Sequence, residues 1–208
     1  MKKKIERVQY ICHSLRGLEE LLKGGMKWAQ LRLKNVPDTE RIDTAAQFVE
    51  LCDKYDAVSI INDYPRLAML VHAKGVHLGL EDMPIKEARQ LMGENYIIGA
   101  TANNLADMIK ATKEGADYIG LGPYSYTTTK NKLSPILGLI GYKKIIPQYL
   151  MEKHPVPIIA IGGIEPDDVM PLLESGVSGI AVSSYIEKAE KPGEVYKTLE
   201  QIIQLSYS

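Results

Sequence analysis

The chain is expected to form a single (β/α)8 barrel, the TIM-barrel architecture, on three observations. Eight short, apolar, β-branched runs recur through its 208 residues, segments with helical spacing separate them, and no linker, charge block or low-complexity tract interrupts the alternation. Eight strand–helix units in a chain of this length approach the lower size limit of that fold. An open doubly wound sheet obeys the same periodicity, because spacing along the chain does not report closure. Residues 1–208 are accordingly read as one domain.

The strands are expected, in order, at VQYICH (8–13), WAQLRLK (28–34), AVSIIND (57–63), GVHLGL (75–80), YIIGATA (96–102), YIGLGPY (118–124), PIIAIGG (157–163) and GIAVSSY (179–185). Most carry consecutive apolar residues, which suits parallel strands covered on both faces. Between them, TERIDTAAQFVELCDKY (39–55) puts Ile42, Ala45, Ala46, Val49 and Cys52 on one helical stripe and opens without a capping-box glutamate. LADMIKATKEG (105–115) and DDVMPLLESG (167–176) each end on glycine, as helices often do. Pro171 is expected close enough to the first turn to be tolerated. The longest interval, Tyr124 to Pro157, holds a helix around GLIGYKKIIPQYL, and GEVYKTLEQIIQL (193–205) closes the series.

Composition narrows the function classes. Apolar residues make up 45 % and charged residues 25 %, an ordinary globular balance with ample material for a core. The 25 basic and 26 acidic side chains leave a net charge of −1, so no global field favours nucleic acid or an anionic membrane. Any anion site must be local. Cys12 and Cys52 lack metal-ligand spacing and are expected as buried free thiols. The basic N-terminus, MKKKIERVQYI, has no apolar run long enough for a signal peptide, and a cytoplasmic protein is expected.

In a barrel of this kind the chemistry sits at the carboxyl ends of the strands and in the loops that follow. The second run ends with Gln30, Arg32 and Lys34 on one side by alternation. Two cations and an amide aimed into the mouth are costly to bury without a partner, which a diphosphate or acidic neighbours would supply. The third run ends in Asn62 and Asp63, and Asp82 follows the fourth. Two such carboxylates can share Mg²⁺, which favours a pair of carboxylates plus waters and substrate phosphates. Each also precedes an X-Pro step and could instead cap a helix. The stretch GPYSYTTTKNK gathers Thr127, Thr128, Thr129 and Lys130 after the sixth run, a concentration of hydroxyls and one cation suited to phosphate. Gly162, Gly163, Ser183 and Ser184 stand where the fold recurrently cradles phosphate, although a Gly-Gly pair is commonly just a tight turn. His77 is expected to pack or hydrogen-bond near the barrel wall, Trp28 and Tyr118 to be core or wall residues, and His13 and His72 carry no pattern.

Across nearly its whole length the chain resembles the thiamine-phosphate synthase family, through QLRLK, IIND, GVHLGLEDMP, GADYIGLGPYSYTTTK, AIGGI and GIAVSS in family order. The resemblance implies a transferase that joins 4-amino-2-methyl-5-pyrimidinylmethyl diphosphate to a thiazole phosphate with release of diphosphate. It implies that Gln30, Arg32, Lys34 and Asn62 hold the pyrimidine diphosphate and that Asp63 and Asp82 hold Mg²⁺. Thr101 would face the pyrimidine, Lys130 would grip the diphosphate, and Thr127, Thr129, Gly163, Ser183 and Ser184 would cradle the thiazole phosphate. A homodimer is a reasonable expectation for the fold. The chain departs from the family in carrying Thr101 where serine is common, Asn103 where histidine is common, and YPRLA after Asn62-Asp63. Two alternatives stay open: a thiazole tautomerase, which relies on a histidine at the Asn103 position, and a barrel that binds thiamine precursors without turnover.

Overall fold

The structure is a computed structural model that describes residues 3, 5–126 and 135–206. Among the described residues the eight expected runs are strands: β1 (Val8–Cys12), β2 (Trp28–Leu31), β3 (Val58–Asn62), β4 (Gly75–Leu78), β5 (Ile97–Ala102), β6 (Tyr118–Leu121), β7 (Ile158–Ile161) and β8 (Gly179–Val182). All pair in parallel in sequence order, and β1 meets β8 through Gln9 and Ala181, so the sheet closes. Closure satisfies both edges of every strand, which an open sheet leaves exposed.

The helices are α1 (Leu18–Lys23), α2 (Asp38–Lys54), α3 (Pro65–Leu70), α4 (Ile85–Met92), α5 (Leu105–Lys113), α6 (Gly138–Leu150), α7 (Pro166–Glu174), α8 (Ser184–Glu187) and α9 (Pro192–Leu205). Two expectations need correction. The buried stripe of α2 is Ala45, Phe48, Val49 and Cys52, whereas Ile42 and Ala46 are exposed. Ala46 is turned about 100° from Ala45, and the larger Phe48 takes the place against the wall. Pro171 is the sixth residue of α7, beyond the first turn; Pro166 is the proline that opens the helix, beside a Glu165–Asp168 capping box.

Alternation splits the apolar residues into two cores. Ile11, Trp28, Ile60, Ile97, Tyr118, Ile159 and Ala181 fill the barrel interior, and the larger core lies between strands and helices. Trp28 and Tyr118 pack edge to face, 5.0 Å between centroids, as the core residues their sequence context suggests. Tyr118 fits because Gly99 on the neighbouring strand has no Cβ: one placed there would lie 2.1 Å from Tyr118 Cζ. Cys12 and Cys52 are buried free thiols, and burial raises both above the ordinary thiol range. Among the described residues no helix is long and apolar enough to cross a membrane.

Candidate active site at the carboxyl ends of the strands

The ends of β2, β3 and β4 bring together most of the polar residues singled out from the sequence. Gln30 and Asn62 are buried on adjacent strands, and Gln30 Nε2 donates to Asn62 Oδ1 at 3.2 Å. Gln30 Oε1 is buried without a partner among the described residues, an acceptor that a ligand donor would satisfy. Arg32 follows β2 and extends its ladder, its amide donating to the Cys12 carbonyl at 2.9 Å. Burial lowers the pKa of its guanidinium, while Asp63 and Asp82 pull it back up. Lys34 Nζ donates to Asp63 Oδ2. The acidic-neighbour alternative for Lys34 is therefore realised in this state. Because Lys34 is 46 % exposed, that pair contributes only about 0–1 kcal/mol and leaves the lysine available to an incoming anion.

Neither carboxylate caps the helix that follows it. The N-cap positions of α3 and α4 are Tyr64 and Pro84, without side-chain caps. Asp63 adopts φ 68°, a left-handed conformation that a non-glycine residue holds at a cost of about 1–3 kcal/mol. Asp82 Oδ2 accepts from the Gly79 amide at 2.6 Å. The two carboxyl groups meet. Burial works to raise Asp63, yet hydrogen bonds with Lys34 and Asp82 hold it below the ordinary carboxylate range. Burial, followed by the Asp63 contact, pushes Asp82 up. Such a carboxylate pair fits a hard cation. No group of three or more His, Cys, Asp or Glu with metal-binding geometry occurs among the described residues. That donor set matches an ion that keeps waters and takes substrate oxygens.

Below this rim a buried hydrogen-bonded chain forms the pocket floor. Gln9 Nε2 donates to Tyr118 Oη at 3.2 Å; His77 lies 3.1 Å from that oxygen through Nδ1 and 3.0 Å from Thr101 Oγ1 through Nε2. His77 thus hydrogen-bonds inside the barrel, as expected, and holds Thr101 in place. Gly120 makes room for it, since a Cβ there would come 3.0 Å from His77 Cε1.

On the far side, Gly162 and Gly163 both have positive φ, 100° and 64°. A Cβ on Gly163 would lie 2.5 Å from the Tyr126 carbonyl, so the segment after β6 packs directly on the turn after β7. Asn103 Nδ2 donates to the Gly122 carbonyl, and Tyr124 Oη donates to Asp168 at 2.8 Å. Ser183 is the N-cap residue of α8 and Ser184 its first residue. Thr127, Thr128, Thr129 and Lys130 lie outside the described residues.

Sequence reasoning missed two residues. His13, directly after β1, lies 3.5 Å from Arg32 Nη1 through Nε2, and through Nδ1 lies 3.5 Å from Ser183 Oγ and 3.4 Å from Glu187 Oε2. The strand-end rule that selected Lys34 and Asp63 also selects His13, because Gln9, Ile11 and His13 alternate inward. Glu187 had no such signal; only the turn of α8 brings it round.

Fold and site together define a (β/α)8 protein whose mouth gathers cations, a carboxylate pair and buried amides. The chain belongs to the thiamine monophosphate synthase family, whose sequence profile matches residues 8–186. It is 46 % identical over 187 residues to the thiamine-phosphate synthase of Bacteroides thetaiotaomicron, covering 90 % of this chain and 88 % of that protein. It is 47 % identical over 171 residues to the thiamine-phosphate synthase of Phocaeicola vulgatus, covering 82 % of each. Among solved structures, thiamine phosphate pyrophosphorylase from Pyrococcus furiosus superposes with a TM-score of 0.85 at 33 % identity, over 97 % of each chain.

Proposed function

We propose that this protein is a thiamine-phosphate synthase, a transferase that joins 4-amino-2-methyl-5-pyrimidinylmethyl diphosphate to a thiazole phosphate and releases diphosphate. The observation that carries this is the meeting of Arg32, Lys34, Asp63 and Asp82 at one rim of a closed barrel. The reaction breaks the bond between the methylene carbon and the diphosphate oxygen, with the electron pair leaving on the diphosphate. The electron-rich aminopyrimidine spreads the resulting positive charge, and the thiazole nitrogen lone pair forms the new C–N bond. No protein nucleophile is required.

The chain's task is to hold the parts and stabilise the departing charge from fixed positions. Arg32 and Lys34 face the diphosphate, joined by Lys130 on the strength of the family resemblance. Asn62 and the unpartnered Gln30 Oε1 receive the substrate above the floor, where Thr101, held by His77, faces the pyrimidine. Gly163, Ser183 and Ser184, with Thr127 and Thr129 on the strength of the family resemblance, take the thiazole phosphate. Asp63 and Asp82 hold Mg²⁺, which when bound offsets charge on the leaving group. Asn103 stands where a thiazole tautomerase relies on histidine, which favours the synthase; its amide donates to the Gly122 carbonyl.

The test is direct. Protein incubated with both substrates and Mg²⁺ should yield thiamine phosphate and diphosphate in equal amounts. Tight binding of both substrates without either product would identify a sensor and overturn the assignment.

A further inference from the structure

His13 sits on the seam between two halves of the mouth. β1 lies between β2 and β8, so a side chain following β1 on the inner face reaches both the end of β2, which carries Arg32, and the start of α8, which carries Ser183. Its two ring nitrogens divide the contacts. Nε2 is 3.5 Å from Arg32 Nη1, while Nδ1 is 3.5 Å from Ser183 Oγ and 3.4 Å from Glu187 Oε2.

The chemistry fixes the tautomer. A guanidinium only donates, so Nε2 must accept, and the ring N–H is left on Nδ1 facing Ser183 and Glu187. A neutral acceptor for Arg32 also has a consequence that a carboxylate would not. Arg32 is half-buried, and its Nη1 needs a partner. An aspartate there would cancel the positive charge and compete with an incoming anion, whereas an imidazole orients the guanidinium and leaves its charge intact.

We propose that His13 is a positioning residue that couples the two anion subsites, orienting Arg32 toward the diphosphate through Nε2 and Ser183 toward the phosphate monoester through Nδ1. This deepens the substrate assignment made above and rests on it.

Amide side chains separate the two contacts. Glutamine places its carbonyl oxygen near the Nε2 position and retains the acceptor for Arg32. Asparagine reaches only as far as Nδ1 and retains the donor toward Ser183. Binding of magnesium pyrophosphate, and separately of the thiazole phosphate, is measured by calorimetry for wild type, His13→Ala, His13→Gln, His13→Asn, Arg32→Ala and Ser183→Ala, with thermal melts as a check on folding.

His13→Ala is expected to weaken pyrophosphate about tenfold, the low end for one hydrogen bond to a charged group, and thiazole phosphate about fivefold, as for one hydrogen bond to a neutral hydroxyl. His13→Gln should restore pyrophosphate binding alone, and His13→Asn should restore thiazole phosphate binding alone. Equal losses in all three His13 variants would mean a merely structural role and overturn the proposal. So would His13→Ala binding both ligands as wild type does while Arg32→Ala and Ser183→Ala lose them. If Arg32→Ala and Ser183→Ala themselves bind normally, the subsite assignment fails first, and the coupling falls with it.

Discussion

Gly99→Ala tests whether the pocket floor is built as described. The added Cβ would stand 2.1 Å from Tyr118 Cζ and 2.4 Å from its Oη, so the ring must move by more than 1 Å to reach ordinary contact. It has nowhere to go: Tyr118 is fully buried and packs edge to face on Trp28 at 5.0 Å. Overpacking of this kind costs about 1–3 kcal/mol. Displacing Tyr118 Oη also breaks its contacts with Gln9 and His77, at about 1 kcal/mol for each hydrogen bond. The sum, about 3–5 kcal/mol, corresponds to a melting temperature lowered by about 6–20 °C for a domain of this size. Thermal denaturation followed by circular dichroism measures it. Because His77 holds Thr101, the KM for the pyrimidine diphosphate should rise together with the loss of stability. The variant Gly99→Ala/Tyr118→Leu removes the clashing ring atoms and should cost less than the two single changes added together. A melting temperature within about 2 °C of wild type for Gly99→Ala, or strict additivity in the double variant, would refute this account of the floor.

Further outcomes are expected elsewhere. Asp82→Asn removes one carboxylate of the pair and should raise the Mg²⁺ concentration needed for half-maximal turnover about tenfold or more, read from rate against Mg²⁺. Lys130→Ala should lower kcat about 100-fold, as for the loss of one donor to developing charge, in steady-state release of diphosphate. Glu19 is held down to about 2, first by the hydrogen bond from Lys54 and then by that from Tyr55. A depressed carboxylate contributes stability above its unfolded pKa and loses it as pH falls through the folded value. The wild type should therefore melt above Glu19→Gln at pH 6, with the gap closing toward pH 2. An equal gap at both ends of that range would exclude the contribution.

Much of the molecule was legible in the chain. The eight apolar runs are the eight strands, because a strand covered on both faces can satisfy its surroundings only with consecutive apolar residues. The polar residues that end the second and third runs, Gln30, Arg32, Lys34, Asn62 and Asp63, stood out by their place at strand ends, whereas Thr101 came only from the family resemblance. Periodicity also found α2 but misjudged its stripe, since spacing gives the apolar face of a helix and not which part of it meets the wall. Only the closed sheet decided the rest. Whether Asp63 and Asp82 cap helices or face each other depends on the left-handed turn at Asp63 and the Gly79 amide on Asp82. The partnership of His13 with Arg32, Ser183 and Glu187 depends on β1 meeting β8, which joins residues about 170 positions apart. Local pattern is governed by which side of an element is covered; contact between distant elements is governed by closure, and closure leaves no mark on spacing.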